Sequence, residues 1–270
     1  MRDPHVQSLR YRLEVNEACG RLENPPPLEH KTDAYRMWLE NGVLTVELKE
    51  HHANVESARR RVENDLRAWE LDAALERDQV WLKFVHDGTG TRIVDRETSE
   101  PGHTGAVGNI VLGDIAVAGV AKAEPPVFKE YPKPPAVFEA SIEVEVMVQR
   151  YGRAVFDDSQ MLSFGYACLS WLEGSTGLTG RQGARNESVR RYRIERNVLD
   201  ALGDFVSERG GLQEARKLDA NATLRPLTPD ENTWVRAALK VLIRRKAAYD
   251  HDPVAAVSLP IITMADLPKL

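Results

Sequence analysis

Asn41-Gly42 separates two runs of strand periodicity, residues 34–40 and 43–49, and constrains the fold of this chain more than any other feature. The dipeptide tolerates positive φ at both positions, as a two-residue type I′ turn requires, so the sequence predicts a tight hairpin. From Val55 the period changes. Val55, Ala58, Val62, Leu66, Trp69 and Ala73 recur at steps of three and four and share one face of a long helix. Such a stripe needs a sheet to cover. The hairpin supplies one, with Leu44, Val46 and Leu48 toward the helix and Thr45, Glu47 and Lys49 on the solvated side.

Other elements gather around this pair. Residues 9–15 alternate as a half-buried opening strand. Pro25, Pro26 and Pro27 force residues 23–30 into an extended connection on the surface or along a sheet edge. Residues 80–86 read as a strand, and Asp87-Gly88-Thr89-Gly90 as the turn of a second hairpin returning through 91–95. A further strand is expected over 109–122. The fold class is therefore α+β, with a first domain over residues 1–124 in which a mostly antiparallel sheet carries one long helix.

Pro125-Pro126 and the run Tyr131 to Pro135 mark residues 125–137 as a Pro-rich linker. Residues 138–270 then read as an all-α bundle of about four helices with a C-terminal tail. Residues 142–146 alternate like a strand yet also fit a helix with Ile142, Val146, Met147, Tyr151 and Val155 inward, and the helix is preferred. The next helix starts near Asp158 and faces inward with Met161, Phe164, Cys168, Trp171 and Leu172. Residues 174–183 form a connection, 187–209 one continuous helix, and 212–218 a short one. The last helix is introduced by Thr228, Pro229 and Glu231, a capping box with proline at the first position.

At 270 residues and 42% hydrophobic, the chain can bury a core in each part. No apolar run approaches the roughly 20 residues of a membrane span. Cys19 and Cys168 have no metal spacing, and residues 1–13 hold no apolar signal segment, so a cytoplasmic location with reduced thiols is expected. The net charge of −5 argues against a general polyanion binder, and the excess acid lies before residue 125. One segment is locally basic: Arg181, Arg185, Arg190, Arg191, Arg193 and Arg196, opposed by Glu187 and Glu195. Arg185, Arg190 and Arg193 are its candidates for contacting a nucleic-acid backbone, with a solvated helix face as the alternative.

Chemistry is less legible than architecture. Arg245 precedes His251 with five residues between them, and Arg244 precedes it with six. This pattern and the helix order over 138–252 resemble the HEPN-like helical domains, many of which are ribonucleases. The resemblance implies His251 as general acid or base and Arg245 as a stabiliser of phosphate charge, without a metal. Glu47-x-Lys49 with Asp33 or Glu40 upstream is similar to the metal-binding pattern of restriction-endonuclease-like nucleases, and it also matches any solvated strand face. His51-His52, with His30 a candidate neighbour in space, reads as a polar turn before a helix. No phosphate loop, nucleophile elbow or paired CxxC occurs. The expectation is a two-domain binding or scaffold protein without cofactor or metal, acting through a protein partner or as a homodimer. RNA is the second partner class, and a HEPN-like ribonuclease is the alternative function.

Overall fold

The computed structural model describes residues 3–96, 124–209 and 225–270, with the side chains of residues 158 and 159 set aside. The strand expected over 109–122 and the short helix over 212–218 lie outside the described residues. The fold is α+β. The chain divides into two compact units, Met1–Ala73 with Val80–Pro134, and Ala74–Gln79 with Pro135–Leu270.

The first unit is built on β1 (Pro4–Val15), followed by β2 (Arg21–Leu22), β3 (Leu28–Lys31), β4 (Tyr35–Glu40) and β5 (Val43–Leu48). After α1 (Val55–Arg77) come β6 (Leu82–His86), β7 (Arg92–Asp95) and β8 (Val127–Phe128). The sheet order is β3-β4-β5-β1-β6, with β7 also on β1, and each of these pairings is antiparallel. The β4–β5 hairpin turns at Asn41 (φ 51°) and Gly42 (φ 73°), both in the left-handed region that the dipeptide was expected to supply. Asn54 starts α1, its side chain accepting the N–H of Ser57 at 2.8 Å. Ala58, Val62, Leu66, Trp69 and Ala73 of that helix are buried with Leu44, Val46 and Leu48 of β5 in one core.

The second hairpin does not form. β6 and β7 both pair with β1, Tyr11 facing His86 and Val6 facing Ile93, so they follow one another along the same edge. Residues 87–91 are an insertion between them. The insertion fits because Gly90 lies against Arg10, where an added Cβ would come within 2.1 Å of the Arg10 Cδ. Glycine here permits a close approach to β1.

The Pro-rich segment also departs from a simple spacer. β8 pairs in parallel with β2, and Phe128 meets the Trp81 ring at 5.3 Å between centroids. Tyr131 is buried, its hydroxyl accepts the Gly42 N–H at 3.2 Å, and Pro132 accepts the Trp69 indole N–H at 3.0 Å. Prolines lack amide donors but keep their carbonyls, and the aromatics among them carry apolar area that packing removes from water.

The second unit contains α2 (Ile142–Phe156), α3 (Asp158–Gly174), α4 (Arg181–Tyr192), α5 (Arg196–Glu208), α6 (Pro229–His251) and α7 (Pro253–Ala256). Helix wins over strand at 142–146, although its buried face is Val144, Met147, Val148, Tyr151 and Ala154, leaving Ile142 exposed. The expected continuous helix over 187–209 is broken at Arg193, which is left-handed (φ 52°). There Glu195 N–H donates to the Ile262 carbonyl and Ile262 N–H to that of Arg193. The tail thus satisfies the backbone where the helix stops. The Thr228–Glu231 capping box forms as expected. α6 packs against α2, α3, α4 and α5, burying Trp234, Ala238 and Leu242. Asp78, within the 74–79 part of this unit, pairs with Lys240 at 2.7 Å and accepts the Tyr151 hydroxyl.

Candidate functional site

α4 and α5 form a helical pair in which Arg185 meets Asp200 and Asn186 meets Arg196, so the two helices run in opposite directions. Between them opens a cleft of about 350 Å³ lined by Arg181, Gln182, Arg185, Arg196 and Asp200. Three guanidinium groups and one carboxylate therefore define its chemistry.

Arg185 is the strut of this cleft. Only 3% exposed, it donates through Nε to Glu173 and through Nη1 to the Leu199 carbonyl and to Asp200, both at 2.9 Å. A buried guanidinium is tolerated because its Nε and Nη1 donors meet two carboxylates and a carbonyl. Arg196 reaches Asp200 through Nε at 3.0 Å and Asn186 through Nη1, leaving Nη2 without a partner among the described residues. Arg181 is exposed at the mouth and, among the described residues, makes no hydrogen bond or ion pair. With Glu173 counted, three positive charges face two negative ones. One positive charge stays uncompensated, and it belongs to the exposed Arg181.

The residues singled out from sequence are distributed differently. Arg185, expected on a solvated basic face, is buried, with Nε and Nη1 engaged inside the helical unit. Arg190 is exposed and held two-pronged by Glu187 at 2.6 and 2.9 Å. Together with Arg191 it holds the Glu187 carboxyl down at about 2. Arg193 donates to the Leu259 carbonyl at 3.0 Å. These contacts tie the segment's other cations to local structure, and among the described residues Arg181 alone of them makes no hydrogen bond or ion pair.

Arg245 and His251 lie on the same helix six residues apart, which places them about 120° apart around its axis. Arg245 donates through Nη2 to the Pro260 carbonyl at 2.7 Å, and burial, helped by the nearby Arg193, lowers its pKa. His251 faces Glu139 at 3.6 Å. The two side chains thus engage separate partners. Lys246, between them, is buried and bound to Asp250 at 2.6 Å, which in turn accepts the Ser141 hydroxyl.

In the first unit, Glu47 is exposed opposite Arg36, and Lys49 donates to the Thr32 carbonyl. His51 and His52 sit with His5, not with His30: the His5 and His51 rings are 5.5 Å apart, and His51 also contacts Asp3 at 3.2 Å. Among the described residues no group of three or more His, Cys, Asp or Glu side chains is placed to hold a metal ion. Among them too, no helix is long and apolar enough to cross a membrane. Compared with protein-family models, curated proteins and solved structures, the chain matches none.

Sequence reading found the arginines of the cleft but not the cleft. Arg196 and Asp200 stand at helical i,i+4 spacing, which was a visible signal. Glu173 was not visible, because it reaches Arg185 from the preceding helix.

Proposed function

We propose that the protein is a binding protein that captures an anionic group of a partner in the α4–α5 cleft and carries out no chemistry on it. The observation that carries this reading is Arg181, a cation without a partner among the described residues, at the mouth of a polar cavity whose other cations are fixed by Asp200, Glu173 and Asn186. Charge placed this way attracts and orients an anion, and among the described residues lining the cleft none pairs a nucleophile with a base. The free, buried thiols of Cys19 and Cys168 suit a reducing compartment such as the cytoplasm.

The HEPN-like ribonuclease reading requires Arg245 and His251 to meet at one phosphate. A single set of measurements separates the two. The purified full chain is titrated with polyglutamate, oligouridylate and inorganic phosphate, and the RNA is followed for cleavage. Binding of an anion that is lost in Arg181→Glu, without RNA turnover, supports the binding protein. Metal-independent cleavage that disappears in His251→Ala replaces it with the ribonuclease.

A further inference from the structure

We infer that the α4–α5 cleft is a receptor for a carboxylate, an acidic side chain presented by a partner polypeptide; this rests on the anion-binding reading above. Three features select that ligand class.

The first is charge. Arg181, Arg185 and Arg196 against Glu173 and Asp200 leave one positive charge, and one carboxylate balances it. A phosphate dianion would overfill the cleft and face Asp200, whose position is fixed by Arg185 and Arg196. Like charges at such range in a partly enclosed site repel strongly.

The second is donor geometry. Arg181 offers a whole planar fork, and Arg196 keeps Nη2 for use, so two guanidinium groups can share the two oxygens of one carboxylate. Gln182, at the same mouth, adds an amide donor.

The third is the character of the walls. Among the described residues no aromatic or aliphatic side chain lines the cleft, so they offer no platform for a nucleobase and little apolar surface for a hydrophobic anchor. The volume of about 350 Å³ accepts a short acidic side chain with its water. Arg185 is engaged through Nε and Nη1. It holds Asp200 and the Leu199 carbonyl in place, keeping the two outer arginines apart and the cavity open.

The test uses the full chain and four probes: a fluorescent hexaglutamate peptide, its hexaglutamine counterpart, inorganic phosphate and oligouridylate. Anisotropy is expected to show hexaglutamate binding at least about tenfold tighter than hexaglutamine, with the difference erased near about 0.5 M salt. Arg181→Gln is expected to weaken hexaglutamate binding about tenfold, and Arg181→Lys to recover only part of it, because an ammonium is a point charge without a fork. Thermal melts of both variants check that they remain folded, which the exposure of Arg181 favours. If phosphate or oligouridylate binds through Arg181 and hexaglutamate does not compete, the carboxylate assignment is overturned while the anion-binding reading survives. If no probe binds, or Arg181→Gln leaves hexaglutamate binding unchanged, both fail.

Discussion

The carboxylate of Glu70, inside α1, accepts the backbone N–H of Phe84 in β6 at 2.7 Å. Phe84 stands opposite Leu13, whose own N–H is turned away to the Gly42 carbonyl, so the Phe84 amide points out of the sheet edge. Arg67 donates to the other Glu70 oxygen at 2.9 Å. Burial raises the pKa of this carboxyl, and the two donors oppose the rise. A side chain thus closes an edge amide that another strand could otherwise use. Glu70→Ala is expected to cost about 1–3 kcal/mol by stranding the donor, and Glu70→Gln less, because its amide oxygen still accepts. Urea melts read the difference, and equal losses would refute this role for the carboxylate.

Gly42→Val probes the hairpin turn. Nothing lies within 4 Å of an added Cβ at Gly42, so only backbone strain at φ 73° opposes the side chain. A loss of more than about 1 kcal/mol is expected in denaturant melts. A neutral result contradicts the positive-φ turn.

Arg185→Lys tests the strut. Lysine retains the charge but cannot serve Glu173, Asp200 and the Leu199 carbonyl from one plane. Arg185→Leu removes the charge altogether and leaves the half-buried Glu173 carboxylate without its partner, at a cost on the order of 1–3 kcal/mol. Melts are expected to rank wild type above Arg185→Lys, and Arg185→Lys above Arg185→Leu. A lysine variant as stable as wild type would show that charge alone suffices.

Acid should weaken the first unit through two histidines. Burial lowers the pKa of His5, helped by His51, Arg96 and His52 and opposed by Asp3. Burial lowers that of His86, helped by Arg59 and opposed by Glu63 and Asp87. The unfolded chain therefore binds protons more readily than the folded one. This contribution to stability is complete above the ordinary value of about 6.5 and is lost as pH falls through the lowered values. Melts between pH 7.5 and 5.5 are expected to show the loss, reduced in the variant carrying His5→Gln and His86→Gln. An undiminished loss in that variant assigns the effect elsewhere.

What the sequence disclosed was local. Asn41-Gly42, the stripe from Val55 to Ala73 and the Thr228–Glu231 box each depend on neighbours within a turn or two, and each formed as expected. What it withheld depends on distant partners. β6 and β7 are collinear because β1 is long enough to pair with both, and no motif at 87–90 reveals that length. The break at Arg193 needs Ile262, and the burial of Arg185 needs Glu173 on another helix. The Pro-rich segment was misleading for a different reason. Its composition describes a stiff extended chain, but Phe128 and Tyr131 give that chain something to bury.

Residues 74–79 belong to the helical unit, yet they leave the ribosome before the whole of the sheet unit's second stretch and well before Pro135. During translation, Asp78 is made long before Tyr151 and Lys240, its partners, are in reach. The helical unit cannot be completed from its own contiguous segment. Dividing the gene at the Pro-rich segment would leave Asp78 on the wrong polypeptide, and the 135–270 fragment would carry Lys240 without its counter-charge. Such a fragment should regain stability when a peptide spanning residues 74–79 is supplied in trans, and the order of synthesis becomes part of how this protein reaches its fold.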